Sequence, residues 1–114
     1  LLASSAASDV YKRQQLGCSG IITATCNATA ELSRKVYDDF FSGKEQSYNQ
    51  KLCEVRKNFD KYNLISGLHT FYSKENKIYG NILPPLRLLN VNEEKDLIDN
   101  LNNLDFKLNY KMAA

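Results

Sequence analysis

The segment from Gly17 to Asn27 is the feature that most constrains the fold of this chain. Its sequence, Gly-Cys-Ser-Gly-Ile-Ile-Thr-Ala-Thr-Cys-Asn, predicts a short strand in which two β-branched residues follow a pair of glycines. Small polar residues come next, and they lead into an amphipathic helix. A strand that ends in this way is typical of the sites of α/β proteins. Because the rest of the sequence predicts almost only helices, we expect the chain to be a piece of a larger α/β fold.

An amphipathic helix is predicted to follow this strand and to end at Gly43. Either Asn27 or Thr29 can cap its N-terminus, because each side chain has an oxygen that accepts backbone N–H groups. The apolar positions of this helix recur every four residues: Leu32, Val36 and Phe40. The segment 44–62 has the strongest helical pattern in the chain. Its apolar residues alternate steps of four and three and therefore share one stripe: Tyr48, Leu52, Val55, Phe59 and Tyr62.

Two more helices are predicted in the second half of the chain. The third covers residues 64–72 and contains Gly67, which costs about 1 kcal/mol relative to alanine and often marks close packing. The pair Pro84-Pro85 excludes a helix and favours an irregular segment. Asn92 is then expected to cap the last helix, whose acidic first turn suits the positive end of the helix dipole. The inner face of that helix consists of Leu97, Ile98, Leu101 and Leu104.

Composition and charge argue against several classes of function. The 114 residues include 15 basic and 13 acidic side chains, and the net charge of +2 is too small to indicate binding to nucleic acid or to a membrane surface. No apolar run approaches the roughly 20 residues that span a bilayer. The cysteines, Cys18, Cys26 and Cys53, have no metal-binding spacing, and the single histidine, His69, does not complete a zinc site. We therefore expect reduced thiols and a cytoplasmic protein.

The two ends of the chain differ in composition from the rest. Residues 1–14 are rich in serine and alanine, resemble translated cloning sequence, and are expected to be a non-native or disordered leader. Residues 107–114 are expected to form a frayed tail. Between them we predict a strand with its helix over residues 15–43 and a helical region over residues 44–106.

From Gly20 to Asn27 the sequence resembles the final barrel strand of the dihydrodipicolinate synthase / N-acetylneuraminate lyase family. In that family a glycine pair, two aliphatic residues and a few small residues precede an asparagine and a helix. The agreement continues in order along the chain, over about residues 16–106. An apolar helix ends at Gly43, a long helix follows, another helix begins near residues 62–68, and the segment Pro84-Pro85-Leu86 precedes a capped terminal helix.

The sequence departs from the family pattern at three positions. The family often has prolines where Asn63 and Ser66 stand, and commonly has lysine where His69 stands. On its own residue type and position, His69 is expected to be a half-buried structural residue on an apolar helix face. These departures leave the choice of subfamily open, and with it the second substrate.

The resemblance implies a fragment of a (β/α)8 TIM barrel that consists of the last barrel strand and the C-terminal helices, so that the chain is mainly α as it stands. Enzymes of this family form or cleave a carbon–carbon bond next to a 2-keto acid, usually pyruvate, through a lysine Schiff base and without a metal or organic cofactor. They are usually homotetramers or dimers. The family's lysine lies on the sixth strand, so the resemblance implies that this chain lacks it and is inactive alone.

Position by position, the resemblance places Ile22 and Thr23 at strand-end positions that line the substrate cavity, with Ala24 behind them. The alternatives are that Ile22 belongs to the barrel core and that Thr23 only leads into the helix. Thr25 and Asn27 are more simply explained as capping residues.

A function of a different class also fits the sequence. The apolar helix stripes could belong to a self-standing small helical module that binds a partner helix. The upstream reading frame separates the two hypotheses, because a lyase requires a lysine-bearing strand about one βα unit further back.

Overall fold

The computed structural model describes residues 15–20, 22–45 and 47–107 of the chain. These residues form four α-helices, α1 (Cys26–Phe41), α2 (Asn49–Asp60), α3 (Leu64–Ser73) and α4 (Val91–Asn103), and a short 3-10 helix at Lys77–Gly80. The chain divides into two compact units, residues 1–56 and residues 57–114. The predicted leader, residues 1–14, and residues 108–114 of the predicted tail lie outside the described residues.

The predicted strand over residues 17–27 is not formed by those of its residues that the structure describes, and Ile21 lies outside them. Gly17 turns the chain with a φ of 82°, and α1 already begins at Cys26. A strand is stable only when its backbone groups pair with a neighbouring strand, and the described part of this chain contains no such partner. The expected mainly α character is therefore confirmed, whereas an origin in a TIM barrel stays a prediction.

Helix α1 differs from its prediction at the N-terminus and agrees with it at the C-terminus. Thr25 occupies the N-cap position instead of Asn27 or Thr29, but its side chain caps no backbone N–H group. Thr29 lies within the helix with a non-helical φ of −116°. At the other end Gly43 adopts a φ of 66°, a left-handed conformation that glycine reaches without strain, and the helix ends there as expected.

The first unit has a core formed by α1 and the first part of α2. Its buried apolar side chains are Leu32, Val36, Leu52 and Val55, all members of the predicted stripes. Helix α2 begins at Asn49, later than the predicted residue 44. Tyr48 thus lies just outside the helix. Nζ of Lys35 lies 5.4 Å from the centroid of its ring, in a cation–π contact.

The second unit has an aromatic core against which a buried glycine packs. Its buried apolar side chains are Phe59, Leu68, Phe71, Leu97, Leu101 and Phe106. A Cβ atom at Gly67 would lie 3.4 Å from Cδ1 of Phe59 and 4.0 Å from Cδ2 of Leu97. Gly67 therefore lies against the core as predicted, at a distance where an added methyl group would make ordinary van der Waals contact.

Both ends of α4 are closed by specific hydrogen bonds. Asn90, rather than the predicted Asn92, is the N-cap and forms a capping box with Glu93. At the C-terminus the backbone N–H of Phe106 donates to the carbonyl oxygen of Leu101 at 2.9 Å, while Asp105 has a φ of 49°. This arrangement is a Schellman motif, and it returns Phe106 to the core, where its ring stacks on Phe71 with a centroid separation of 5.9 Å.

Candidate functional site

The three residues predicted to line a substrate cavity lie together in the turn that leads into α1. Ile22 is 99% exposed, Ala24 is exposed and Thr23 is half-buried. The backbone N–H of Cys26 donates to the carbonyl oxygen of Thr23 at 3.2 Å, and this bond begins the first helical turn. Within this chain Ile22 is therefore not a core residue, and Thr23 is the member of the group with a polar, partly accessible side chain.

Thr23 belongs to a row of three hydrogen-bonded side chains, which we call the hydroxyl relay: Thr23, Thr25 and Arg56. Thr25 is only 1% exposed. Nη1 of Arg56 donates to Oγ1 of Thr25 at 3.0 Å, and Oγ1 of Thr23 lies 3.1 Å from the same oxygen. All three residues belong to the first unit. The prediction that Thr25 is a capping residue is therefore wrong at its side chain, which bonds to Arg56 and Thr23 instead.

Small polar side chains continue from the relay along the first turns of α1. Oγ1 of Thr29 donates to the carbonyl oxygen of Thr25 at 3.0 Å and lies 3.4 Å from Oγ of Ser33. Sγ of Cys26 lies 3.5 Å from the same Ser33 hydroxyl. Asn27 points its amide back to the carbonyl oxygen of Ala24 at 2.9 Å. These contacts hold the turn that carries Thr23. The first backbone N–H groups of the helix need no side-chain cap, because those of Cys26, Asn27 and Ala28 donate to carbonyl oxygens of the turn.

Lys35 is paired with a carboxylate one helical turn away on α1. Its Nζ atom lies 3.0 Å from Oε1 of Glu31. That hydrogen bond raises the pKa of Lys35 above its ordinary value, which keeps the amine protonated and non-nucleophilic. Among the described residues, no group of three His, Cys, Asp or Glu side chains could hold a metal ion.

In the second unit, His69 and Thr70 have structural roles. His69 is half-buried, as predicted, and its Nδ1–H donates to the carbonyl oxygen of Tyr79 at 2.8 Å. Thr70 is fully buried, donates from Oγ1 to the carbonyl oxygen of Ser66, and accepts from the N–H of Leu89 at 3.0 Å. This contact holds the irregular segment before α4 against α3. The sequence contained a weak signal for it, since a lone threonine interrupts the apolar face of α3.

A tyrosine–carboxylate pair joins the end of α2 to α4 within the second unit. The hydroxyl of Tyr62 donates to Oδ2 of Asp96. Because this bond favours the neutral phenol and the ionised carboxylate, it raises the pKa of Tyr62 to about 12 and lowers the pKa of Asp96 below its ordinary value. The apolar pattern had predicted Tyr62 only as a packing residue.

This pair predicts a pH-dependent contribution to stability. Because the pKa of Tyr62 is raised, its contribution to the free energy of unfolding is complete below pH 10.0 and is lost as the pH rises towards about 12. Because the pKa of Asp96 is lowered, its contribution to the free energy of unfolding is complete above pH 3.8 and is lost as the pH falls below that value. We therefore expect Tyr62→Phe to lower the Tm between these limits, and the difference from the wild type to shrink outside them.

Thermal unfolding across a pH series measures this effect. Tyr37→Phe is the matched control, because the Tyr37 ring packs beside Phe41 and Arg34. A Tm difference for Tyr62→Phe that stays constant at every pH would contradict the prediction.

No family model, curated protein or solved structure matches this chain. In the three described ranges, no helix combines the length and the apolar character needed to cross a membrane.

Proposed function

We propose that this chain is the C-terminal part of a dihydrodipicolinate synthase-like lyase or aldolase. The enzyme forms or cleaves a carbon–carbon bond next to a 2-keto acid such as pyruvate through a lysine Schiff base, and the lysine lies in sequence outside this chain. The iminium serves as the electron sink, so the reaction needs no metal or organic cofactor. The intact protein is a cytoplasmic homotetramer or dimer.

The order of the elements is the observation that carries this proposal. Helix α1 ends at Gly43, α2 follows, α3 begins at Leu64, and the segment Pro84-Pro85-Leu86 precedes the capped helix α4. This is the order that the resemblance to the family implies, with boundaries within a few residues. It supports the family assignment because the order combines a helix stop, a proline pair and a helix cap at defined separations.

The proposed role of this chain in the enzyme is to supply part of the substrate cavity. In (β/α)8 barrels the reacting groups are provided by the C-terminal ends of the strands. Ile22, Thr23 and Ala24 would occupy such an end, with Thr23 offering the only side-chain hydroxyl of the three. The described residues 18–20 and 22–23 lie outside every helix, which leaves this segment available to pair as a strand in the intact barrel.

Borohydride trapping on the protein of the complete reading frame tests the proposal. The upstream sequence should contain strand–helix repeats and a strand with a lysine, and incubation with pyruvate and borohydride should leave a reduced adduct on that lysine. The 114-residue chain, treated in the same way, is the control and should acquire no adduct. A stop codon directly upstream of Gln15, or an intact protein that forms no adduct, would refute the proposal.

A small helical binding module is the alternative, and one observation favours it. Several large apolar side chains of the second unit are exposed: Ile65, Ile78, Leu83 and Val91. Such residues could contact a partner helix. The same experiment separates the two proposals, because a self-standing module has a reading frame without the upstream strand–helix repeats.

A further inference from the structure

We propose that Arg56 is a positioning residue that holds the Thr23 hydroxyl as a hydrogen-bond donor towards an acceptor oxygen of the substrate. The inference rests on the proposed function, which places Thr23 at the cavity wall. Arg56 itself does not touch the substrate. It acts through Thr25, the middle member of the hydroxyl relay.

We infer the direction of the relay from the chemistry of its members, because the contact between the two threonine hydroxyls fits donation from either one. A guanidinium group can only donate, so Oγ1 of Thr25 accepts the hydrogen bond from Nη1 of Arg56. An oxygen polarised by a cation is a better donor of its own proton, and the favoured arrangement is donation from Thr25 to Oγ1 of Thr23 at 3.1 Å. Thr23 then accepts this bond, and its own hydroxyl hydrogen remains for an outside acceptor.

The structure supports both ends of this relay. At the inner end Thr25 is 1% exposed, so water does not compete for its hydroxyl. At the outer end Thr23 is half-buried, and its Oγ1 atom has no second hydrogen-bond partner among the described residues. The relay therefore joins a half-buried cation, through a buried hydroxyl, to a partly accessible donor.

The packing of α2 holds the backbone of Arg56 in place. Leu52, one turn earlier, and Val55, the preceding residue, are both fully buried in the core of the first unit. The backbone that carries the guanidinium is thus held by packing rather than by the relay itself. Arginine also keeps its charge at every physiological pH, so the direction of donation does not change with pH.

The relay predicts the chemical class of the group that Thr23 recognises. A hydroxyl that already accepts from Thr25 is best placed to donate to a carboxylate, carbonyl or hydroxyl oxygen of the keto acid or of the aldehyde joined to it. An interaction of this kind is present in both the ground state and the transition state. Its loss should therefore raise KM and leave kcat nearly unchanged.

The test uses the protein of the complete reading frame, assayed for turnover of its keto acid. Thr25→Val removes the relay hydroxyl at constant shape, and Thr25→Ser retains it. We expect Thr25→Val and Arg56→Gln each to raise KM about tenfold, the equivalent of one lost neutral hydrogen bond. Thr25→Ser should stay near the wild type. The matched control is Arg34→Gln on α1, an exposed arginine paired with Asp38 at 2.8 Å, which should not change KM.

The outcomes separate this inference from the proposed function. If the wild type forms no Schiff base, the proposed function fails and this inference fails with it. If the wild type is active but Thr25→Val and Arg56→Gln keep its KM, only the inference is overturned, even when these variants melt at a lower temperature. If Arg56→Gln does not fold, the threonine pair decides, and equal KM values for Thr25→Val and Thr25→Ser overturn the inference.

Discussion

Replacing Phe59 with alanine is expected to lower the free energy of unfolding by about 3–5 kcal/mol. Phe59 is completely buried, and its ring meets that of Phe71 edge to face at a centroid distance of 5.6 Å. The substitution removes apolar area and this aromatic contact, and it leaves a cavity beside Gly67. Since the neighbouring Phe71 ring is itself held against Phe106, we expect the cavity to close only in part.

Chemical denaturation followed by circular dichroism measures the effect. Phe41→Ala is the matched control, because the same atoms are removed from a side chain that is 60% exposed. The control should cost less than about 1 kcal/mol, the usual range for surface positions. Equal losses in the free energy of unfolding for Phe59→Ala and Phe41→Ala would contradict the burial of Phe59 in the core of the second unit.

Replacing Gly67 with leucine is the second large effect that the structure predicts. The site has room for a Cβ atom at 3.4 Å from Phe59, but a larger side chain must displace Phe59 or Leu97. Overpacking of this kind costs about 1–3 kcal/mol and occasionally more. We expect the destabilisation caused by Gly67→Leu to lie at the upper end of this range, because Phe59 and Leu97 are both fully buried.

Gly67→Ala is the control that separates packing from backbone effects. Its Cβ atom makes ordinary van der Waals contact, and alanine gains up to about 1 kcal/mol of helix propensity over glycine. The expected order of Tm is therefore alanine equal to or above glycine, with leucine well below both. A leucine variant as stable as the wild type would contradict the close packing of α3 against Phe59 and Leu97.

The helices of the second unit could largely be predicted from the sequence. The range 64–72 matches α3 to within one residue, and Gly67 was correctly expected at a close contact. Local signals suffice there, because an apolar stripe and a cap are both properties of neighbouring residues. Phe106 lies beyond the last helix and gave no periodic signal, so its burial against Phe71 could not be inferred.

The role of Ile22, Thr23 and Ala24 at a substrate cavity stays a prediction, and their contacts with distant residues could not be read from the sequence. The resemblance placed Ile22, Thr23 and Ala24 at one position in the chain, and the structure finds them in one turn. The hydroxyl relay was not predicted from the sequence, because Arg56 is 31 residues from Thr25 and the contact between them is not local. The only available signal was a basic residue directly after the buried stripe residue Val55.

The amino-acid sequence by itself determined the mainly helical character, the stripes that become buried and the proline break before α4. Each of these depends on interactions within a few residues, which the order of the chain specifies directly. Only the tertiary structure decided that the described residues of the segment at Gly17 form no strand and that Arg56 contacts Thr25. Strand pairing and long-range hydrogen bonds need partners brought together in space, and whether a partner is present is not a local property of the sequence.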